Sequence, residues 1–181
     1  IPFWDRKIEL VFLSHSDKDH VAALPGIKKH YKVEREVWEV WQSDVFRYGK
    51  LVFDIVKGSQ NNIEVPMGGS SVSNELSVVM RMKYGDFSVL FTGDMDMENE
   101  QGLVTSGLLK KTEVLKVAHH GSKYSSGEDF LRKINSKFAV ISVGKKNSYG
   151  HPAKGALERL NESGAVILRT DILGTIEMVS D

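Results

Sequence analysis

No cysteine occurs anywhere in the 181 residues. That absence removes disulfides, thiolate zinc sites and cysteine nucleophiles, and it leaves the cellular compartment open. Net charge is missing too, because 24 Lys and Arg balance 24 Asp and Glu. The whole-chain field therefore favours no polyanion, and a phosphate or nucleic-acid site has to be a local patch. No apolar run approaches the roughly 18 residues that a membrane-spanning helix needs, so this segment is not expected to insert as one. Internal repeats and low-complexity tracts are absent as well.

What remains is an ordinary globular balance, with 41% hydrophobic and 27% charged residues, in a length that suits one domain over residues 1–181. The opening "IPFWDRKIEL" lacks an initiator Met and enters a strand almost at once. The expectation is a fragment, N-terminally incomplete and short of the first strands of its fold.

Residues 7–14, "KIELVFLS", read as one buried strand. A helix starts in "HVAALPGIKKHY", interrupted by Pro25-Gly26. Residues 33–41 and 50–57 are predicted strands, and residues 59–74 the clearest loop. "LSVVMRMKYGDFSVLFTGD" predicts a hairpin turning at Tyr84-Gly85-Asp86. Helices are expected at 97–109, 128–134 and 152–162, the last with Pro152 in its first turn. "EVLKVAHHGS", "KFAVISVG", "AVILRT" and "GTIEMVS" read as strands. Strands that alternate with helices, with hairpins mixed in, indicate an α/β layered fold with helices covering sheets.

One pattern repeats along the chain. "VFLS" ends at His15, "SVLFTG" at Asp94, and "VLKVA" at His119-His120. "AVISVG" leads to Lys145, Lys146, Asn147 and His151. In open α/β sheets the carboxyl edge is where ligands bind, so four such strand ends point to one shared site. Imidazoles with carboxylates suit zinc, manganese or iron. His15, Asp17 and Asp19 alternate, so an extended segment aims them at one point, while Asp19-His20 can turn to a second. Two cations roughly 3.5–4 Å apart are the usual outcome of such a double set, with a water between them made nucleophilic near neutral pH.

Each piece alone has a plainer reading. "SHSDKDH" can cap a helix, with Ser14, Ser16 and Asp17 meeting its amides. "TGD" and "HHGS" can be simple turns, and "GHP" can start a helix. The four in this order, each after an apolar strand, are far more specific.

Those residues resemble the metallo-β-lactamase superfamily, whose pattern here is "HSDKDH", "FTGD" and "HHGS". The finer likeness is to the hydrolase domain of ComEC-type DNA-uptake (competence) proteins, carried by "SHSDKDH", "LKVAHHGS" and "SVGKKNSYGHP". It runs from about Leu10 to the C-terminus. The resemblance implies a four-layer αββα sandwich with a dinuclear site at one edge. It implies that His15 and Asp17 hold one metal, that Asp19 and His20 hold the other, and that Asp94 bridges them. His119 would complete the second site, with His120 the adjacent alternative. No His lies between His30 and His119, so Asn74 stands where the superfamily usually has an imidazole. An Asn carbonyl beside carboxylates is harder than imidazole, which favours manganese more than in a typical zinc enzyme, so the expected cofactors are two divalent ions, zinc or manganese. The superfamily opens with a strand pair that this chain starts after.

The leading expectation is metal-assisted phosphodiester hydrolysis, with single-stranded DNA as substrate and DNA uptake as the role. Asp19 and His151 are the predicted catalytic residues, His151 giving a proton to the leaving oxygen. Lys123, Lys145 and Lys146 would take phosphates, and Ser122, Ser125, Ser126 and Asn147 would add hydrogen bonds. Trp38, Trp41 and Tyr48 are the predicted stacking platforms, with at least one Trp in the core. A membrane channel domain, in the same or a partner chain, is the partner the likeness implies. Two other readings stand beside it: hydrolysis of a small phosphodiester, ester, lactone or β-lactam on the same site, and an inactive module that binds DNA or a partner.

Overall fold

The computed structural model describes residues 4–14, 21–58 and 77–180. In chain order, short strands β1 (Lys7–Ile8) and β2 (Val11–Phe12) lead to helix α1 (Leu24–His30), then β3 (Lys32–Val33) and β4 (Glu36–Val37). Two hairpins follow, β5 (Val45–Tyr48) with β6 (Leu51–Lys57) and β7 (Val79–Tyr84) with β8 (Phe87–Phe91). The second half alternates α2 (Met97–Ser106), β9 (Val114–Lys116), α3 (Glu128–Ile134), β10 (Phe138–Ile141), α4 (Lys154–Glu162), β11 (Val166–Arg169) and the single turn α5 (Thr170–Leu173).

Seven strands make one sheet in the order β11-β10-β9-β8-β7-β6-β5. β5 to β8 are antiparallel, because each hairpin is closed by a short loop with Gly49 or Gly85 at positive φ. From β8 to β11 the pairing is parallel. Each parallel step needs a crossover, which α2, α3 and α4 supply. The alternating side chains of this half set Leu90, Leu115, Ala139 and Ile141 against Leu103, Phe130, Leu131, Ile134 and Leu160 of the helices.

The opposite face is covered differently. β1 pairs with β3 and β2 with β4, both parallel, and the register is shared: Lys7 lies opposite Lys32 and Phe12 opposite Val37. The four pieces are one two-stranded ribbon. It packs on the antiparallel half of the sheet through Val37, Val40, Ile55 and Val78, with Phe12 against Phe46 at 5.1 Å between ring centroids. Helices, sheet, ribbon and α1 give the four layers in the αββα order. The two outer layers on the ribbon side are thin, and α1 buries only Leu24.

Several sequence expectations are corrected here. Residues 7–14 and 33–41 are broken, half-buried strands, because the ribbon has only one packed face. Pro25 opens α1 near its first position and does not interrupt it, as a ring without an N–H does best there. Val45–Tyr48 is a strand that the sequence reading passed over, although its apolar and aromatic residues before Gly49 signal one. α2 stops at Ser106 and not at 109, because Gly107 takes the left-handed conformation. Pro152 precedes α4, whose N-cap is Ala153. "GTIEMVS" is not a strand. The chain turns into α5 at Thr170, whose hydroxyl bridges the Val143 amide and carbonyl. The predicted loop at 59–74 lies outside the described residues.

Candidate metal centre

Three parallel strands, β8, β9 and β10, end side by side, and their carboxyl ends form the edge that the sequence pattern points to. Thr92-Gly93-Asp94 follows β8. The Thr92 hydroxyl donates to the Lys116 carbonyl at 2.7 Å, which ties this turn to β9. Gly93 has a φ of 54°, and a Cβ there would meet Ser77 Cβ at 2.9 Å and Ser14 Cβ at 3.4 Å. The Asp94 amide donates to Ser77 Oγ at 3.1 Å, and its side chain is buried. Ser14 accepts from the Val78 amide at 3.0 Å. The ribbon strand thus reaches this edge at Ser14, the residue before His15.

His119, His120 and Gly121 follow β9 with φ of 48°, 53° and 81°. A left-handed residue other than glycine costs about 1–2 kcal/mol, so two histidines in a row mark stored strain. The surroundings hold the turn. The His119 amide donates to the Gly93 carbonyl at 3.1 Å, and His120 Nδ1 lies 2.7 Å from the Ser142 carbonyl. The Ser125 hydroxyl donates to the Ala118 carbonyl at 3.0 Å. Gly121 abuts Pro152, where an added Cβ would come within 2.7 Å of the proline Cβ. Gly121→Ala is therefore expected to cost about 2 kcal/mol, against about 1 kcal/mol for Gly150→Ala. Gly150 shares the positive φ but has nothing within 4 Å. Urea unfolding of both variants checks this, and equal losses would show that Pro152 simply moves aside.

His151 completes the group. Its ring lies 5.6 Å from that of His119, edge to face. Its Nδ1 is buried and has no hydrogen-bond partner among the described residues. Burial, then the His119 and His120 charges, hold its pKa below the ordinary imidazole value, with Asp94 pulling the other way. A neutral ring with an uncommitted nitrogen beside a carboxylate and a second imidazole is the donor chemistry that a divalent ion requires. Among the described residues no three such side chains converge on one point by themselves. His15, Asp17, Asp19, His20 and Asn74 lie outside the described residues.

The predicted substrate-binding residues divide. Lys123, Lys145 and Lys146 are exposed beside the site. Ser125 is buried and its hydroxyl serves the His119 turn, while Ser122 Oγ accepts from the Tyr124 amide at 3.3 Å. Asn147 is spent on its own loop. Its carboxamide donates to the Gly144 and His151 carbonyls and accepts from the His151 amide. Trp38 and Trp41 are both exposed, so neither is a core residue, and they sit among carboxylates. Trp38 Nε1 donates to Glu36 and the Trp41 amide to Asp44.

Three residues escaped the sequence reading. Lys116 interrupts the apolar run "VLKVA". It borders a cavity of about 310 Å³ with Phe12, Ser14, Phe91 and Gly93, and burial lowers its pKa against the pull of Asp94. A lysine inside a buried strand was the available signal. Glu100 and Arg159 grip the loop after the His119 turn. Glu100 accepts from the Ser126 and Gly127 amides at 2.6 and 2.7 Å. Arg159 donates to the carbonyls of Ser126, Lys123 and Ser125 at 2.8, 3.2 and 2.8 Å.

Residues 73–145 match the metallo-beta-lactamase superfamily. The chain is 33% identical to ComE operon protein 3 of Bacillus subtilis, over 98% of the chain and 26% of that protein. It is 32% identical to competence protein ComA of Neisseria gonorrhoeae, over 95% and 25%. Recombination protein 2 of Haemophilus influenzae matches at 30% over 98% and 23%. The chain thus spans about a quarter of the length of the curated relatives it matches. Two solved structures share the fold at a TM-score of 0.57. A candidate metal-dependent hydrolase from Parabacteroides distasonis, 12% identical, matches over 93% of this chain and 79% of its own. CmlA, a diiron beta-hydroxylase from Streptomyces venezuelae, 11% identical, matches over 91% and 44%. Residues 73–145 are thus similar to the metallo-β-lactamase superfamily, and nearly the whole chain is similar to about a quarter of each of these three proteins, one of them a competence protein.

Proposed function

We propose that this chain is a metal-dependent phosphodiesterase that cuts single-stranded DNA during DNA uptake. The observation that carries the reading is the gathering of Asp94, His119 and His151 at one sheet edge, in a chain whose relatives include a competence protein. Two divalent cations, zinc or manganese, would be held by His15 and Asp17, by Asp19 and His20, and by Asp94, His119 and Asn74, with His120 the alternative to His119. Bound there, they supply a hydroxide at neutral pH and offset charge on the phosphate oxygens.

The residues of the chain do the rest. Asp94 presents a buried carboxylate from a turn fixed by Thr92 and Gly93. His151, neutral and with Nδ1 uncommitted, is available to hold a metal or to move a proton at the leaving oxygen. Lys123, Lys145 and Lys146 ring the edge as point charges for neighbouring phosphates. Among the described residues no helix is long and apolar enough to cross a membrane.

The test is metal content together with cleavage. Protein purified without chelator is expected to hold two equivalents of metal and to release label from single-stranded DNA in manganese, with Asp19→Ala inactive. Equal release from both proteins would rule out the site. Hydrolysis of a chromogenic ester or lactone in place of DNA would move the assignment to the small-molecule reading.

A further inference from the structure

Tyr149 is 83% exposed, the most open large aromatic side chain among the described residues. Its ring lies nearly parallel to that of His151, at 15° and 6.2 Å between centroids. His151 in turn meets His119 at 5.6 Å. Three rings thus run in file from the His119 turn out to solvent, with Tyr149 at the outer end.

The loop that carries Tyr149 is pinned. Asn147 bonds to the Gly144 and His151 carbonyls and to the His151 amide, and the Asn147 amide closes the turn on Gly144 at 3.1 Å. The facing loop is attached through Ala153, whose amide donates to the Gly121 carbonyl at 2.8 Å. An aromatic ring held this way binds with little loss of conformational freedom.

Charge separates this surface from the other exposed aromatics. Residues 121–126 and 142–151 contain Lys123, Lys145 and Lys146 and no carboxylate. Tyr124, 64% exposed, carries Lys123 Nζ at 4.7 Å above its ring. Trp38 and Trp41, by contrast, border Glu36, Glu39 and Asp44, which outnumber the Arg35 in the same pocket and the Lys28 that pairs with Glu36 at 2.7 Å. An aromatic face among lysines suits a polyanion with planar groups, and one among carboxylates repels it.

We propose that the open face of Tyr149 is a stacking platform for an unpaired nucleobase, with Lys145 and Lys146 taking the adjoining phosphates. The platform would extend the site beyond the scissile bond, and it rests on the phosphodiesterase reading above. Stacking needs a base face that a duplex hides, so the platform selects single strands and tolerates any sequence.

The experiment compares an octamer of dT with an abasic octamer of equal length and charge, both with cleavage-resistant phosphorothioate backbones, by fluorescence polarisation on the metal-loaded protein. The wild type is expected to prefer dT by about tenfold, which is what stacking one base is worth. Tyr149→Ala should close most of that gap, while Tyr149→Phe, Trp38→Ala and Trp41→Ala should keep it. A gap unchanged in Tyr149→Ala overturns the platform and leaves the phosphodiesterase reading standing. A wild type that binds neither octamer sinks the DNA reading and the platform with it.

Discussion

Asp94→Asn is expected to lower metal-dependent hydrolysis by more than about 100-fold, beyond the 10–100-fold that outer partners of metal ligands typically carry. The carboxylate is the central acid of the described edge. It is buried, its backbone is fixed by Ser77, and it acts electrostatically on both Lys116 and His151. Asn keeps the shape and removes the charge, so the metal-free protein should fold as before. The second readout is thermal. A ligand that binds only the folded state adds about 2.7 kcal/mol at a hundred times its Kd. Zinc or manganese should therefore raise the Tm of the wild type and leave that of Asp94→Asn nearly unchanged. A variant with wild-type turnover, or with an undiminished rise in Tm, would remove Asp94 from the metal centre.

The parts of this architecture legible in the sequence are those where one physical rule dominates. The helix that the sequence predicts over residues 128–134 is present to the residue, since apolar periodicity and flanking turn residues agree there. The hairpin at Gly85 followed from strand alternation around a glycine turn. Asp94, His119 and His151 stand out in the sequence because polar residues at the ends of apolar strands have no use in a core, and the fold sets them along one sheet edge. The ribbon was harder to see, since broken strands with one packed face lose their alternation. The roles of Ser125 and Asn147 were also hidden. Both hydrogen-bond to backbone in their own loops, and the sequence cannot distinguish that from contact with a ligand. Glu100 and Arg159 leave no spacing signature at all. They act on peptide groups 26 and 33 residues away, so only the fold brings them together.

That grip supplies the other large effect. The Glu100 side chain is only 1% exposed, yet both carboxylate oxygens accept a loop amide. Glu100→Ala would leave those two donors unpaired and Arg159 without its countercharge. At about 1–3 kcal/mol for each buried unpaired group, the expected loss is about 3 kcal/mol, or roughly 6–12 °C in Tm for a chain of this size. The loss should be greatest in the loop, as faster hydrogen exchange at Ser126 and Gly127. The pH dependence is more specific. Burial pushes the Glu100 carboxyl up to about 7, and Asp96 adds to the push, while the Gly127 and Ser126 amides and Arg159 oppose it. A raised folded-state pKa favours folding fully below the unfolded value near 4.5, and that contribution is lost as pH rises through about 7. The difference is at most about 3 kcal/mol. Glu100→Gln cannot titrate, so the stability of the wild type relative to this variant should shrink between pH 5 and pH 8 in urea unfolding. A gap that widens over the same interval would mean that the two amides and Arg159 outweigh burial, and that Glu100 stays ionised throughout.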